Sequence, residues 1–350
     1  MAYTLTTLPD AALPFDQVID VRAPSEFAVD HVPGAINLPV LSDAERAKVG
    51  TVYVQQDRFL ARKIGAALVA RNAAAHIEGP LADRDGGWRP LVYCWRGGQR
   101  SGSFASILAQ IGWRVELIEG GYRSYRRLVS RLLYDDPLPV RPILIDGGTG
   151  TGKTQLLDHL ARDGAQVIDL EGLANHRGSN FGGWADGQPA QKMFESRLAQ
   201  AIHALDPARP VFLEAESNAI GTLLIPPSVW QAMKTAPVVR VTAPVAARAR
   251  FLTTTYPDLT ADADLLARRI DALRPYQPGD MIDGWHGLAR AGDFTALAEG
   301  LIQHHYDPRY ARPGKETRPD LGLIEMPGLT DADLAQAAER LRDLVGDGSR

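Results

Sequence analysis

Pro142-Ile143-Leu144-Ile145-Asp146-Gly147-Gly148-Thr149-Gly150-Thr151-Gly152-Lys153-Thr154 begins as a short apolar run and breaks into a glycine-rich turn. The turn satisfies G-x4-G-K-[ST], and residues 154–162 beyond it carry the apolar spacing of a helix. Strand, glycine turn and helix in that order form a phosphate cradle. Backbone N–H groups from Gly147, Gly148, Thr149, Gly150, Thr151 and Gly152 turn toward a diphosphate. Lys153 neutralises it, and the Thr154 hydroxyl is placed to hold Mg²⁺. The ligand stays open at this level. There is no Asn-Lys-x-Asp guanine motif, and no apolar strand ends in a plain acidic Mg²⁺ ligand of the Walker-B kind. Val211-Phe212-Leu213-Glu214-Ala215-Glu216 is the nearest substitute, with Glu214 or Glu216 either a metal ligand or base, or a solvated strand end. The loop can therefore hold a diphosphate substrate instead of driving nucleotide hydrolysis.

Outward from this loop, residues 167–170, 211–214 and 238–241 read as further strands with helical stretches between them. That alternation argues a parallel α/β sheet. Ligands of such sheets gather at the carboxyl ends of the strands. Asp169-Leu170-Glu171-Gly172-Leu173-Ala174-Asn175-His176-Arg177-Gly178-Ser179 falls at such an end. Glu171 is a candidate substrate contact there and Arg177 a phosphate ligand. His176 is either an acid or base, or a plain loop residue. Tyr306-Asp307-Pro308-Arg309-Tyr310 is either a structural turn or an aromatic and basic platform for RNA. Residues 330–345 read as a capped amphipathic helix with Leu334, Ala338, Leu341 and Leu344 on one face.

Upstream, strand-like runs at 18–21, 90–94 and 115–118 alternate with helical stretches at 57–75 and 103–111. The second run continues Leu91-Val92-Tyr93-Cys94-Trp95-Arg96-Gly97-Gly98-Gln99-Arg100-Ser101. A strand thus ends at the only cysteine and is followed by glycines, arginines and a helix start. Gly97 and Gly98 let amides turn inward as an anion nest. The helix start adds positive partial charge, and Arg96 and Arg100 should help stabilise a thiolate. A nucleophile inside an anion cradle results; the bland alternative is a buried structural cysteine. Arg22 and Glu26 read as a structural ion pair behind the loop, and His31 as a hydrogen-bonded turn residue. Tyr134-Asp135-Asp136-Pro137-Leu138-Pro139 has the composition of a linker. The expected division is 1–133, a linker at 134–141, and 142–350 with a helical C-terminal part.

Composition sets the bounds. At 350 residues the chain is long enough for two or three domains. Hydrophobic residues at 45% and charged residues at 23% exclude a disordered or fibrous chain. The net charge of −4 excludes a globally basic nucleic-acid binder, so an RNA partner needs a local basic patch. Arg123, Arg126 and Arg127, with Tyr122 and Tyr125 interleaved, are the candidates; a solvated helix face is the alternative. A single cysteine excludes an intramolecular disulfide and a multi-thiolate zinc site. No basic leader precedes an apolar stretch and no apolar run is long enough to span a bilayer, so a cytoplasmic protein without a membrane partner is expected.

Asp20-Val21-Arg22, Glu26-Phe27 and His31-Val32-Pro33-Gly34-Ala35-Ile36-Asn37-Leu38-Pro39 resemble the opening signature of rhodanese domains, and Ile118-Glu119-Gly120-Gly121-Tyr122 resembles their closing segment. Cys94 falls where that family carries its persulfide. Arg100 stands six positions after Cys94, one more than in common rhodaneses. The longer loop leaves room for an anion with several oxygens, such as a phosphate-bearing chalcogen donor. A rhodanese-like parallel-sheet domain followed by a P-loop NTPase-like α/β domain, carrying all these motifs from about Asp20 to Tyr310, resembles the tRNA 2-selenouridine synthases. The resemblance implies a tRNA bearing 2-thiouridine at the wobble position as substrate. It implies S-geranylation by geranyl diphosphate, then replacement of the S-geranyl group by selenium from selenophosphate. On this reading Gly147 to Thr154 grips the diphosphate and Cys94 carries selenium as a selenosulfide. No tightly bound cofactor is expected beyond Mg²⁺ at Thr154. The competing readings are a P-loop kinase or ATPase with a rhodanese regulatory module, and a non-catalytic protein in which Cys94 senses redox state.

Overall fold

The computed structural model describes residues 2–179, 181–184, 186–310 and 318–346, with Tyr310 described in its backbone only. The side chain of that tyrosine therefore lies outside the described residues. Contacts divide the chain into two compact units: Met1–Asp136 with Pro189–Ala204, and Pro137–Gln188 with Leu205–Arg350.

The first unit is built on a five-stranded, all-parallel sheet of β1 (Ala2–Tyr3), β2 (Gln17–Asp20), β3 (Ile36–Asn37), β4 (Pro90–Tyr93) and β5 (Glu116–Ile118), in the order β1-β5-β4-β2-β3. β4 lies at the centre, and all four of its residues are buried, as an apolar run covered on both faces must be. The long helix Arg58–Glu78 begins where the Asp57 carboxylate accepts the Leu60 N–H, close to the expected 57–75. The helix Asp43–Gln55, capped by a reciprocal Ser42–Glu45 box, is an element the apolar pattern did not announce. The linker composition at Tyr134 hides a continuation of helix, because a π-helical turn, Arg131–Asp135, extends Tyr122–Ser130.

One helix belongs to this unit although it follows the phosphate loop in sequence. Gln191–His203 buries Met193, Phe194, Leu198, Ala199 and Ile202, and its Glu195 takes the Tyr134 hydroxyl at 2.6 Å and pairs with Arg126. Gln200 donates to the Pro9 carbonyl at 2.8 Å. A single cut near residue 140 therefore does not describe the chain, since 189–204 leaves the second unit and returns to it.

The second unit has a five-stranded parallel sheet of β6 (Arg141–Asp146), β7 (Gln166–Ile168), β8 (Pro210–Glu214), β11 (Val238–Thr242) and β12 (Asp320–Glu325), ordered β12-β11-β6-β8-β7. β9 (Ala219–Ile220) and β10 (Leu223–Leu224) form a separate antiparallel hairpin. The helices Lys153–Arg162 and Asp331–Val345 cover the sheet through Leu156, Leu160, Leu334, Ala338 and Leu341. Leu344 is 44% exposed, against expectation: it reaches over the edge strand at Gly322, where nothing covers its outer side. Helices between Val245 and Leu301 enclose their own core around Leu266, Ile270, Ile282, Trp285 and Leu297. Among the described residues no helix is long and apolar enough to cross a membrane.

The register of β2 against β4 sets Asp20 beside Tyr93, one residue before the cysteine. Arg22 does not pair with Glu26, as the sequence suggested. Its guanidinium meets Asp20 at 2.6 Å, donates to the Asp30 carbonyl at 2.6 Å, and lies 4.0 Å from the Tyr122 ring centre. Both ions are buried, so each depends on the other for its compensation. Asp20→Ala should lower the unfolding free energy by about 3–5 kcal/mol in a denaturant titration. A loss under about 1 kcal/mol would contradict this account of the pair.

Candidate functional site

β4 ends at Tyr93, and residues 94–98 turn at once into the helix Gln99–Ile111. Gly97 takes φ +69°, and Gly121, at φ +61°, lies directly beneath the turn. A Cβ on Gly121 would stand 2.2 Å from the Cys94 carbonyl oxygen, so only glycine admits this approach. The Tyr122 N–H donates to that carbonyl at 2.8 Å and fixes the height of the loop. Cys94 is 3% exposed, more enclosed than a cradle open to solvent. Its Sγ receives the Ser101 hydroxyl at 3.1 Å. Burial pushes the thiol up, but the Ser101 hydroxyl and the backbone N–H groups of Ser101, Arg96 and Gly98 outweigh it and hold the thiol below its ordinary value. The sulfur is therefore stabilised as an anion by aligned dipoles.

The arginines do less than the sequence suggested. Arg96 is exposed. Arg100 turns to Glu26, with contacts of 2.7 and 3.4 Å, because that shielded carboxylate offers a two-point partner. Burial pushes the Glu26 carboxyl up, but Arg100, the Ala23 N–H and Arg46 outweigh it and keep it below the usual carboxylate range. Glu26, Arg100, Trp95, Tyr122 and Lys192 line a cleft of about 480 Å³. Trp95 stacks on Tyr122 at 5.2 Å and keeps 36% of its surface exposed. An indole face beside cationic side chains suits an unstacked base and its phosphates.

The basic helix Tyr122–Ser130 does not present a mixed aromatic and basic face. Tyr122 and Tyr125 are buried, and Arg126 is held by Glu195; Arg123 and Arg127 remain exposed. His31 accepts its structural role, with Nδ1 2.9 Å from the Phe27 carbonyl.

In the second unit, Gly147–Thr154 joins β6 to the helix Lys153–Arg162, as the motif requires. Lys153 Nζ donates to the Gly147 carbonyl at 2.9 Å, which carries the ammonium across the loop. The Thr151 hydroxyl donates to the Gly148 carbonyl at 2.8 Å. Arg248, 5% exposed, donates to the Thr149 carbonyl at 2.8 and 3.0 Å and pairs with Asp307 at 2.7 Å. So Asp307, in the segment read either as a turn or as an RNA platform, braces the phosphate loop through Arg248. Tyr306 and Arg309 of the same segment line the cleft above it.

That cleft has a volume of about 570 Å³. Glu171, His176, Arg177 and Glu216 reach it from the neighbouring strand ends. Glu214 does not: it is fully buried and accepts the Leu170 N–H at 3.2 Å. Burial, with the charges of Asp169 and Glu171, pushes its carboxyl well up, so it stands behind the cleft and not in it. Glu171 accepts from the Thr154 hydroxyl at 3.3 Å. Burial, and then the charge of Glu216, push Glu171 up to about 8. Burial, with Arg269 and Arg177, pushes His176 down, and its Nδ1 accepts the Gly178 N–H at 3.1 Å. The imidazole is thus neutral with its proton on Nε2. Arg177 pairs with Asp258 at 2.8 Å and lies between Trp184, at 3.4 Å, and Tyr256, at 4.3 Å from the ring centres. Among the described residues no group of three or more His, Cys, Asp or Glu is arranged to hold a metal ion.

Sequence reasoning missed Ser101, Arg248, Asp258 and Trp184, and gave Glu26 the wrong partner. Only Ser101 left a local signal, one helical turn past the glycines. Asp258 and Arg248 meet their partners across 81 and 99 residues, and Glu26 meets Arg100 across 74, while Trp184 meets Arg177 within a loop that has no period to read.

Protonated Glu171 favours the folded state, because its pKa is higher there than the ordinary glutamate value of about 4.5. That contribution is complete below about 4.5 and is lost as pH rises toward about 8. Glu171→Gln should therefore reduce the fall in Tm across this window; an unchanged fall would contradict the assignment.

A family model described as the tRNA 2-selenouridine synthase AAA domain matches residues 140–271, and one for the rhodanese-like domain matches 7–128. The tRNA 2-selenouridine synthase of Shewanella loihica is 34% identical over 323 residues, covering 84% of this chain and 86% of that protein. That of Hahella chejuensis is 34% identical and covers 84% of each. That of Shewanella denitrificans is 38% identical over 232 residues, 63% of this chain and 60% of that protein. With both sheets in place and both glycine loops at their strand ends, the chain belongs to the tRNA 2-selenouridine synthase family of enzymes.

Proposed function

We propose that this chain converts 2-thiouridine at the wobble position of tRNA into 2-selenouridine in two steps. In the first, the nucleoside sulfur attacks C1 of geranyl diphosphate. A carbon–sulfur bond forms, a carbon–oxygen bond breaks, and diphosphate leaves. Gly147–Thr154 grips the diphosphate and Lys153 takes up the charge that develops on it. Alkylation turns the sulfur into a leaving group.

In the second step selenium from selenophosphate replaces the S-geranyl group. The sum consumes water and releases geranylthiol and phosphate with no net change of oxidation state. Carriage as a Cys94 selenosulfide removes two electrons when the S–Se bond forms and returns two when it is cleaved. A low-molecular-weight disulfide and thiol therefore serve as co-reactants. The observation that carries the proposal is the Cys94 thiol, held below its ordinary pKa by three amides and the Ser101 hydroxyl in a turn whose next residue, Trp95, lines a cleft and stacks on Tyr122.

Arg123 and Arg127 supply exposed charge for the RNA backbone, and binding should weaken with salt. If Mg²⁺ takes part, the Thr154 hydroxyl would hold it, with phosphate oxygens and water completing its shell.

The test is incubation with 2-thiouridine tRNA, geranyl diphosphate and selenophosphate, followed by nucleoside mass spectrometry. The wild-type chain should yield 2-selenouridine. Cys94→Ala should accumulate S-geranyl-2-thiouridine with selenation reduced about 100-fold or more. Lys153→Ala should reduce geranylation instead. Full selenation by Cys94→Ala would remove the cysteine from this role, and ATP turnover independent of tRNA would favour a nucleotide-driven activity.

A further inference from the structure

The cleft over the phosphate loop continues into a second recess whose walls are almost wholly apolar. Both cavities are bounded by Thr149, Ser179, Leu252, Tyr256 and Tyr306. Beyond these shared residues the recess closes on Phe181, Leu259, Leu266, Leu297, Ala298 and Leu301, all buried. The loop itself sits against this wall. Gly150 has φ +80°, and a Cβ there would lie 2.9 Å from Leu252 Cγ. Glycine at that place brings the phosphate cradle and the hydrocarbon wall into direct contact.

The recess does not suit a nucleotide. A base or ribose placed there would leave amide and hydroxyl groups unpaired, which is unfavourable without a partner. Hydrocarbon meets no such penalty and gains from leaving water. The volume is about 70 Å³. At about 10–15 Å³ for each water-sized occupant, that admits roughly five to seven non-hydrogen atoms, the size of one isoprenoid unit. A diphosphate grip that opens onto such a recess fits a ligand with an anionic head and a branched apolar tail.

We infer that this recess binds the hydrocarbon tail of an allylic diphosphate whose head lies on Gly147–Thr154. The inference rests on the donor proposed above. It adds where the chain goes: past Thr149 and Leu252, with its distal isoprenoid unit among Leu259, Leu266 and Leu297. The helices that enclose the core around Trp285 thereby serve donor selection, and the walls of the recess set the preferred tail.

The test is calorimetric titration of the full chain with inorganic diphosphate and with geranyl diphosphate. Wild type is compared with two variants that fill the recess, Ala298→Phe and, at Thr253, which also lines it, Thr253→Phe. Wild type should bind geranyl diphosphate about tenfold or more tighter than diphosphate. A filled variant should keep its diphosphate affinity, which reports an intact loop, and lose most of the preference for the geranyl compound. Retention of that preference in a variant with intact diphosphate binding would overturn the inference, as would equal wild-type affinities for the two ligands. Absence of wild-type binding to either ligand would instead overturn the donor reading on which it rests.

Discussion

β4 and β6, each a strand of its own parallel sheet, stop where the chain must turn through glycine, and at the first stop backbone amides converge on one atom. That alignment is the constraint on which the chemistry depends. A peptide N–H left without a carbonyl seeks an anion, and several pointed at one spot hold it more firmly than a mobile side chain does. At β4 the group they face is the chain's own sulfur, whose thiol they hold below its ordinary pKa. At β6 the cradle is completed by Lys153 and suits an anion from outside. On the proposed function the same local physics serves a nucleophile in one unit and a ligand grip in the other.

Both loops are braced by an ion pair whose arginine is buried. Asp20 and Arg22 lie below the cysteine turn, and Arg248 with Asp307 holds the Thr149 carbonyl of the phosphate loop. Such pairs contribute little net stability against a well-packed apolar substitute, but removing one member strands the other. They therefore fix loop geometry more than they stabilise the fold. The carboxylates near Lys153 add a second electrostatic problem, since charged Glu171 and Glu216 would repel a diphosphate. Burial answers part of it by keeping a proton on Glu171 up to about pH 8.

The elements that carry chemistry were legible in sequence because their signals are local. A five-residue apolar run, a glycine turn and a helical period specify the phosphate loop without outside help. The Cys94 turn was legible for the same reason, as was the Thr330 cap of the last helix. What the sequence hid is set by distant partners. Arg100 reads as a thiolate stabiliser until Glu26, 74 residues away, takes it. The interleaved tyrosines and arginines of Tyr122–Ser130 read as an RNA surface until packing turns the tyrosines inward. The helix Gln191–His203 joins the first unit through Tyr134 and Arg126, partners that no period announces. β12 was missed because an edge strand with Gly322 and acids at both ends lacks the apolar run of a central one.

The central claim is that dipoles around Cys94 overcome its burial and hold the thiol below its ordinary pKa. The direct measurement is a titration of thiolate absorbance near 240 nm on this single-cysteine chain, alongside Ser101→Ala. A thiol pKa below the usual 8.5 or so, moved upward by the substitution, is the result expected. A pKa at or above that value, indifferent to Ser101, would contradict the account.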